Sequence, residues 1–149
     1  MSLKDKIKDD IKQAMRDKNA SRLGTLRMLS AAIQRREVDE RIQLDDAQVI
    51  SVIEKLVKQG RESIEQYVKG GRQELADKES GEIAIFQAYL PQQLTEAEID
   101  KFVAEAIASA GASSIKDMGK VMGVLKPKLQ GRADMGQVGG KIKAKLGAT

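Results

Sequence analysis

The stretch DDAQVISVIEKLVKQGRESIEQYVKGG, Asp45 to Gly71, decides the fold class. Its apolar positions Val49, Val52, Ile53, Leu56, Val57, Ile64, Tyr67 and Val68 recur at spacings of three and four. That is the repeat of one helix face, whereas a half-buried strand would alternate in twos. Asp45 stands where a side-chain oxygen can cap the first free backbone N–H groups. Gly70-Gly71 supplies the usual stop. One long amphipathic helix is therefore expected, and it needs other helices to cover its apolar side.

Those partners are legible on both sides. Upstream, Ser2 can cap a helix carrying Leu3, Ile7, Ile11, Ala14 and Met15 on one face. Asn19 or Ser21 restarts the chain into a second helix with Leu23, Leu26, Leu29, Ala32 and Ile33, fading near Val38-Asp39-Glu40. Downstream, a fourth helix with Leu75, Ile83, Phe86, Ala88 and Leu90 is expected from about Arg72 to Leu90. Pro91 ends it, because a residue before proline is pushed out of the α region. Thr95-Glu96-Ala97-Glu98 reads as a capping box opening a helix with Ile99, Phe102, Val103, Ala106, Ile107 and Ala110, closed by Gly111.

After Gly111 the composition shifts, and seven of the thirteen glycines fall between Ala112 and Thr149. Short helices still fit there: one with Ile115, Met118, Val121, Met122 and Leu125 before Pro127, then one with Val138, Ile142 and Leu146 after an Asp134 cap. The fold class is all-α. A bundle of about four helices over 1–90 is followed by a small three-helix module over 91–149. Aromatics are 3% of the chain, so aliphatic residues must fill the core, which suits helix-on-helix packing.

Composition also narrows the chemistry. There is no cysteine and no histidine, which removes disulfides, thiolate or imidazole metal sites, and Ser-His-Asp or Cys-His catalysis. The carboxylate pairs Asp45-Asp46 and Glu37/Glu40 read as a cap and a solvated loop edge, not a magnesium site. Ser113-Ser114 with Lys116 is the nearest Ser-Lys candidate, and it reads better as a helix cap. No catalytic centre, metal site or cofactor is expected. No run approaches the roughly 20 apolar residues of a membrane span. With no apolar leader at Met1–Lys6 and no cysteine, a cytoplasmic location and no membrane partner are expected.

Charge is concentrated at the end. Residues 112–149 hold eight bases (Lys116, Lys120, Lys126, Lys128, Arg132, Lys141, Lys143, Lys145) against two acids (Asp117, Asp134). Residues 91–111 hold one base against four acids. Lysines in last helical turns complement the helix dipole, but that does not explain so many in one module with little counter-charge. A surface releasing counterions from a polyanion does. The aromatics Tyr67, Phe86, Tyr89 and Phe102 all lie upstream, so contacts to backbone and shape are expected, as on a structured RNA.

Two further features belong to the same module. Asp117-Met118-Gly119-Lys120-Val121-Met122-Gly123 places two glycines one turn apart. Helix-interior glycine costs about 1 kcal/mol against alanine, and the common reason to carry it is close helix packing. The spacing is not that of a phosphate-binding loop. Gly131-Arg132-Ala133-Asp134 reads as a tight connection, with Arg132 pairing with Asp134 or reaching out to a phosphate.

These blocks, together with Leu90-Pro91-Gln92-Gln93-Leu94, Thr95-Glu96-Ala97-Glu98-Ile99, Leu26-Arg27-Met28-Leu29, Ala31-Ala32-Ile33, Glu37-Val38, Gly71-Arg72 and Glu74-Leu75, resemble the YqeY proteins of the GatB/YqeY family. The resemblance covers essentially the whole chain. It implies that the C-terminal module is similar to the tail of the GatB amidotransferase subunit, which holds tRNA while amide transfer takes place in another domain. It points to Gly119, Lys120, Gly123 and Arg132 as motif positions. Two departures stand out: Gly60, where a basic residue is expected and where glycine weakens a long helix, and Gly139-Gly140, where a polar residue such as Asn is expected before the last helix.

The expected function is that of a non-catalytic, tRNA-binding protein associated with amidotransferase or aminoacyl-tRNA synthetase machinery. The contact would be made by Lys116, Gly119, Lys120, Gly123, Lys126, Lys128, Arg132, Lys141, Lys143 and Lys145. A helical protein–protein adaptor is the alternative. A carbon–nitrogen ligase with glutamine as amide donor comes third, resting on the family label alone.

Overall fold

A computed structural model describes residues 1–147. Among them the chain is all-α, with seven α-helices, one turn of 3-10 helix and no strand: α1 (Leu3–Arg16), α2 (Ala20–Glu40), α3 (Asp46–Lys69), α4 (Gln73–Gln87), α5 (Glu96–Ala110), the 3-10 turn (Ile115–Asp117), α6 (Met118–Leu129) and α7 (Met135–Gly147). The contacts fall into two compact units, one over 1–90 and one from Pro91 onward, each with its own core.

The starts of these helices follow from side-chain oxygens placed to meet free N–H groups. Ser2 accepts from Asp5 N, Asn19 from Arg22 N, and Asp45 and Thr95 form full capping boxes with Gln48 and Glu98. Asp46 accepts from Leu3 N, and Glu40 pairs with Arg36. Glu37 Oε2 accepts both Lys4 Nζ at 2.6 Å and Leu44 N at 2.8 Å, holding α1, α2 and the following loop together. The Lys4 bond, with the Leu44 bond second, keeps the Glu37 carboxyl below its usual range. Each of these carboxylates is thus engaged in folding contacts.

In the first unit Ile7, Leu26, Leu29, Val49 and Ile53 are fully enclosed, with Ile83, Phe86 and Tyr89 from the α4 region. The Tyr89 hydroxyl donates to Asp10 and so ties the end of α4 to α1. Burial, then that bond, pushes the phenol well above its ordinary value. Met15 and Val68, expected on the apolar faces, are more than half exposed, each in the last turns of its helix. The fourth helix ends at Gln87, three residues before Leu90, and a turn carries Tyr89 inward.

Gly60 has a reason that helix periodicity hides. It is buried where α3, whose main partner is α4, lies against that helix. A Cβ there would lie 2.9 Å from Ile83 Cδ1 and Cγ1 and 3.2 Å from Glu79 Oε1. The glycine lets two helices approach closely, and this offsets its poor propensity. Gly24 in α2 is the contrast, with nothing within 4 Å of its missing Cβ. In urea unfolding, Gly60→Leu is expected to lose about 1–3 kcal/mol by overpacking. Gly24→Ala is expected to gain about 0.5–1 kcal/mol from propensity alone.

Candidate nucleic-acid interface

The second unit is built on Ile99, Val103 and Ala106 of α5, Val121, Leu125 and Leu129 of α6, and Val138, Ile142 and Leu146 of α7. In α6 and α7 the buried residues recur every four positions, so each helix turns one narrow stripe inward and leaves a broad outer face. The α6–α7 connection is held by a strap. Leu94 N donates to Arg132 O at 2.9 Å, and Gln93 Nε2 donates to Gly131 O at 2.6 Å and to Pro91 O at 3.1 Å. Arg132 Nε donates to Gln92 O at 3.2 Å. Gly131 is buried with φ +77°, a left-handed conformation that favours glycine. Asp134 then starts α7, its Oδ1 accepting from Gly136 N at 2.9 Å.

Arg132 does not pair with Asp134. Its guanidinium is turned to the strap, half-buried, and its charge helps keep Glu98 low, behind the Thr95 bonds that dominate that shift. Lys141 is also withdrawn from the surface charge. Its Nζ lies 2.8 Å from Asp100 Oδ1, and this bond lowers the carboxyl and raises the ammonium.

The other lysines stand differently. Lys116, Lys120, Lys126, Lys128, Lys143 and Lys145 are exposed and enter no ion pair among the described residues. Gly119 and Gly123 lie opposite the Val121–Leu125 stripe, exposed, with Lys116 and Lys120 also one turn apart. No described atom comes within 4 Å of a Cβ built at either glycine. Close helix packing, the expected reason for the pair, is not what places them. Gly140 of α7 is equally open, while a Cβ on Gly139 would touch Met118 at 3.5 Å. Both lie inside α7, so the looser start expected of that helix is not seen.

One local expectation is corrected. Pro127 does not stop the helix, which runs on to Leu129. The N–H that proline lacks would have bonded Gly123 O, on an exposed turn where water can take its place. Ser114, just before the 3-10 turn, makes no side-chain cap bond, and Asp117 Oδ2 accepts from Ser113 N at 3.0 Å. That backbone bond is the main cause of the lowered Asp117 carboxyl, with Lys120 contributing. Among the described residues no group of three or more acidic side chains could hold a metal ion, and no helix is long and apolar enough to cross a membrane.

Residues 4–146 match the family described as Yqey-like protein, and the chain belongs to that family. Among its relatives is "Altered inheritance of mitochondria protein 41, mitochondrial" of Pyrenophora tritici-repentis, 32% identical over 96% of this chain and 80% of the relative. Proteins of the same name from Vanderwaltozyma polyspora and Eremothecium gossypii are 30% and 38% identical over 75% and 71% of this chain. The matches span 64% and 62% of those two relatives, less than two thirds of their length. The mitochondrial names overturn the expected cytoplasmic location. A cysteine-poor, lysine-rich composition suits either compartment, so it could not decide between them.

Two outcomes follow from this geometry. Gln93→Ala leaves the Gly131 carbonyl short of its donor and is expected to cost the second unit about 1–3 kcal/mol in thermal or urea unfolding. The lowered Asp100 and Asp117 carboxyls contribute stability that is present at neutral pH and lost as pH falls through their depressed values, below about pH 4. Acid titration followed by circular dichroism should show a shallower decline for Asp117→Asn than for the parent chain.

Proposed function

We propose that this chain is a non-catalytic RNA-binding protein that grips the sugar-phosphate backbone of a folded RNA of the tRNA class, in the service of tRNA-amidating or aminoacylating machinery. The observation that carries this reading is the set of six exposed lysines on and beside α6 and α7 that enter no ion pair among the described residues. Each such lysine that meets a phosphate releases condensed counterions, which gives affinity without sequence readout. Gly119 and Gly123 support the same reading, because the missing side chains let a phosphate chain approach the backbone beside Lys116 and Lys120.

The chemistry of the unit also fits backbone contact better than base readout. Its one aromatic residue, Phe102, is partly buried against the core and offers no open ring for stacking. Arg132 and Lys141 leave the proposed contact set, since one belongs to the strap and the other to the Asp100 pair. Lys116, Lys120, Lys126, Lys128, Lys143 and Lys145 remain, with Gly119 and Gly123.

The test is tRNA binding by fluorescence anisotropy across a salt series. Affinity is expected to fall steeply with salt. Lys116→Glu/Lys120→Glu should weaken binding at least tenfold and reduce the logarithmic salt slope by roughly 2. Lys58→Glu, on exposed α3, should change it little. Absence of tRNA affinity at low salt, or equal effects of the two variants, would remove the proposal.

A further inference from the structure

The geometry points to a second interaction surface, in the first unit: the groove between α2 and α3 is a docking site for an amphipathic helix of a partner protein that carries carboxylates along its edges. The groove exists because α3 packs chiefly on α4 and only lightly on α2. It encloses about 520 Å³. Its apolar lining is Ala32, Val52 and Leu56, and Arg35 and Lys55 stand on opposite walls.

Shape argues for a helix. Met28, Ala32 and Arg35 on α2, and Val52, Leu56 and Gln59 on α3, each follow the i, i+4, i+7 repeat, so two helical ridges flank an open trough. A third helix packs into such a trough by laying its own ridge between them. Met28, one turn before Ala32, is 48% exposed and extends the apolar strip beyond the groove. Residues on the covered side of α2, such as Leu26 and Leu29, are fully buried, so this helix carries apolar groups on both sides.

Charge selects the occupant. Arg36 is already used, bonded to Glu40 and donating to Gln48 O at 3.3 Å. Arg35 and Lys55 enter no ion pair among the described residues, so each wall offers a spare cation. A carboxylate on either edge of a docked helix would meet one of them. An RNA strand fits less well, because the floor is apolar and no aromatic ring is there to stack a base. A second copy fits less well too. The described apolar helix faces are largely spent inside the two cores.

The experiment uses the full chain and two labelled synthetic helices with the same leucine ridge, one edged with glutamate and one with lysine. Anisotropy at low salt is expected to show saturable binding of the glutamate-edged helix, at least tenfold tighter than the other. Arg35→Glu/Lys55→Glu, both on the exposed rim, should weaken it at least tenfold, as should Ala32→Glu, which fills the floor. Lys120→Glu should leave it unchanged, which keeps this surface separate from the proposed RNA contact. No binding, equal binding of the two peptides, or insensitivity to Arg35→Glu/Lys55→Glu overturns the inference. Loss of RNA affinity in that double variant without any peptide affinity assigns the groove to RNA. Self-association abolished by Ala32→Glu assigns it to a second copy. Either result also overturns the inference.

Discussion

The arrangement of the second unit depends on one set of hydrogen bonds, those joining Gln92-Gln93-Leu94 to Gly131-Arg132. A short connection between two helices leaves carbonyls that neither helix can satisfy. Here the Gly131 and Arg132 carbonyls receive the Gln93 amide and the Leu94 N–H, and the positive φ of Gly131 lets the chain turn sharply enough to present them. With the turn fixed, Asp134 falls at the start of α7 and the stripe of Val138, Ile142 and Leu146 points inward. The outer faces of α6 and α7, and every lysine on them, follow from that placement.

The strap also separates two kinds of basic residue that composition treats alike. Arg132 and Lys141 are held by acceptors in or just before α5, about forty positions away in sequence. Nothing in the local pattern around either residue announces this, because the partner is brought by the fold. Lys116 and Lys120 have Asp117 close in sequence, but its carboxylate is occupied with Ser113 N. Distance along the chain was therefore a poor guide to which charges are spent. Of the eight bases in the tail, Lys141 is ion-paired and Arg132 is turned to the strap.

The helix starts were legible where a polar side chain and the backbone satisfy each other within four residues. The Asp45 cap and the Thr95–Glu98 capping box appear as read, and Gln48 completes a second box at Asp45. Features that depend on a neighbouring helix were not legible. Gly60 looks like a weakness until Ile83 is placed against it, and Pro127 looks like a stop until its lost bond is seen to fall on an open turn at Gly123. The ends of apolar stripes, Met15 and Val68, were over-assigned for a similar reason, since periodicity continues past the point where a partner covers it. The conformation of Gly131 was readable only as a tight connection, and its acceptor role required Gln93.

The open glycines of α6 are not explained by packing. Alanine at Gly119 or Gly123 would meet nothing, and Gly123, inside α6, lowers helix stability by about 1 kcal/mol relative to alanine. Packing therefore gives no account of them, in contrast to Gly60, where the space is filled by another helix. What the pair provides is open backbone on an exposed face, beside two lysines that enter no ion pair among the described residues. A large anion that must come close to a helix gains from both properties at once, and a small metabolite gains from neither, since nothing here encloses it. The same contrast separates this face from the α2–α3 groove, where an apolar floor and paired walls suit a side-chain ridge and an exposed helical turn does not.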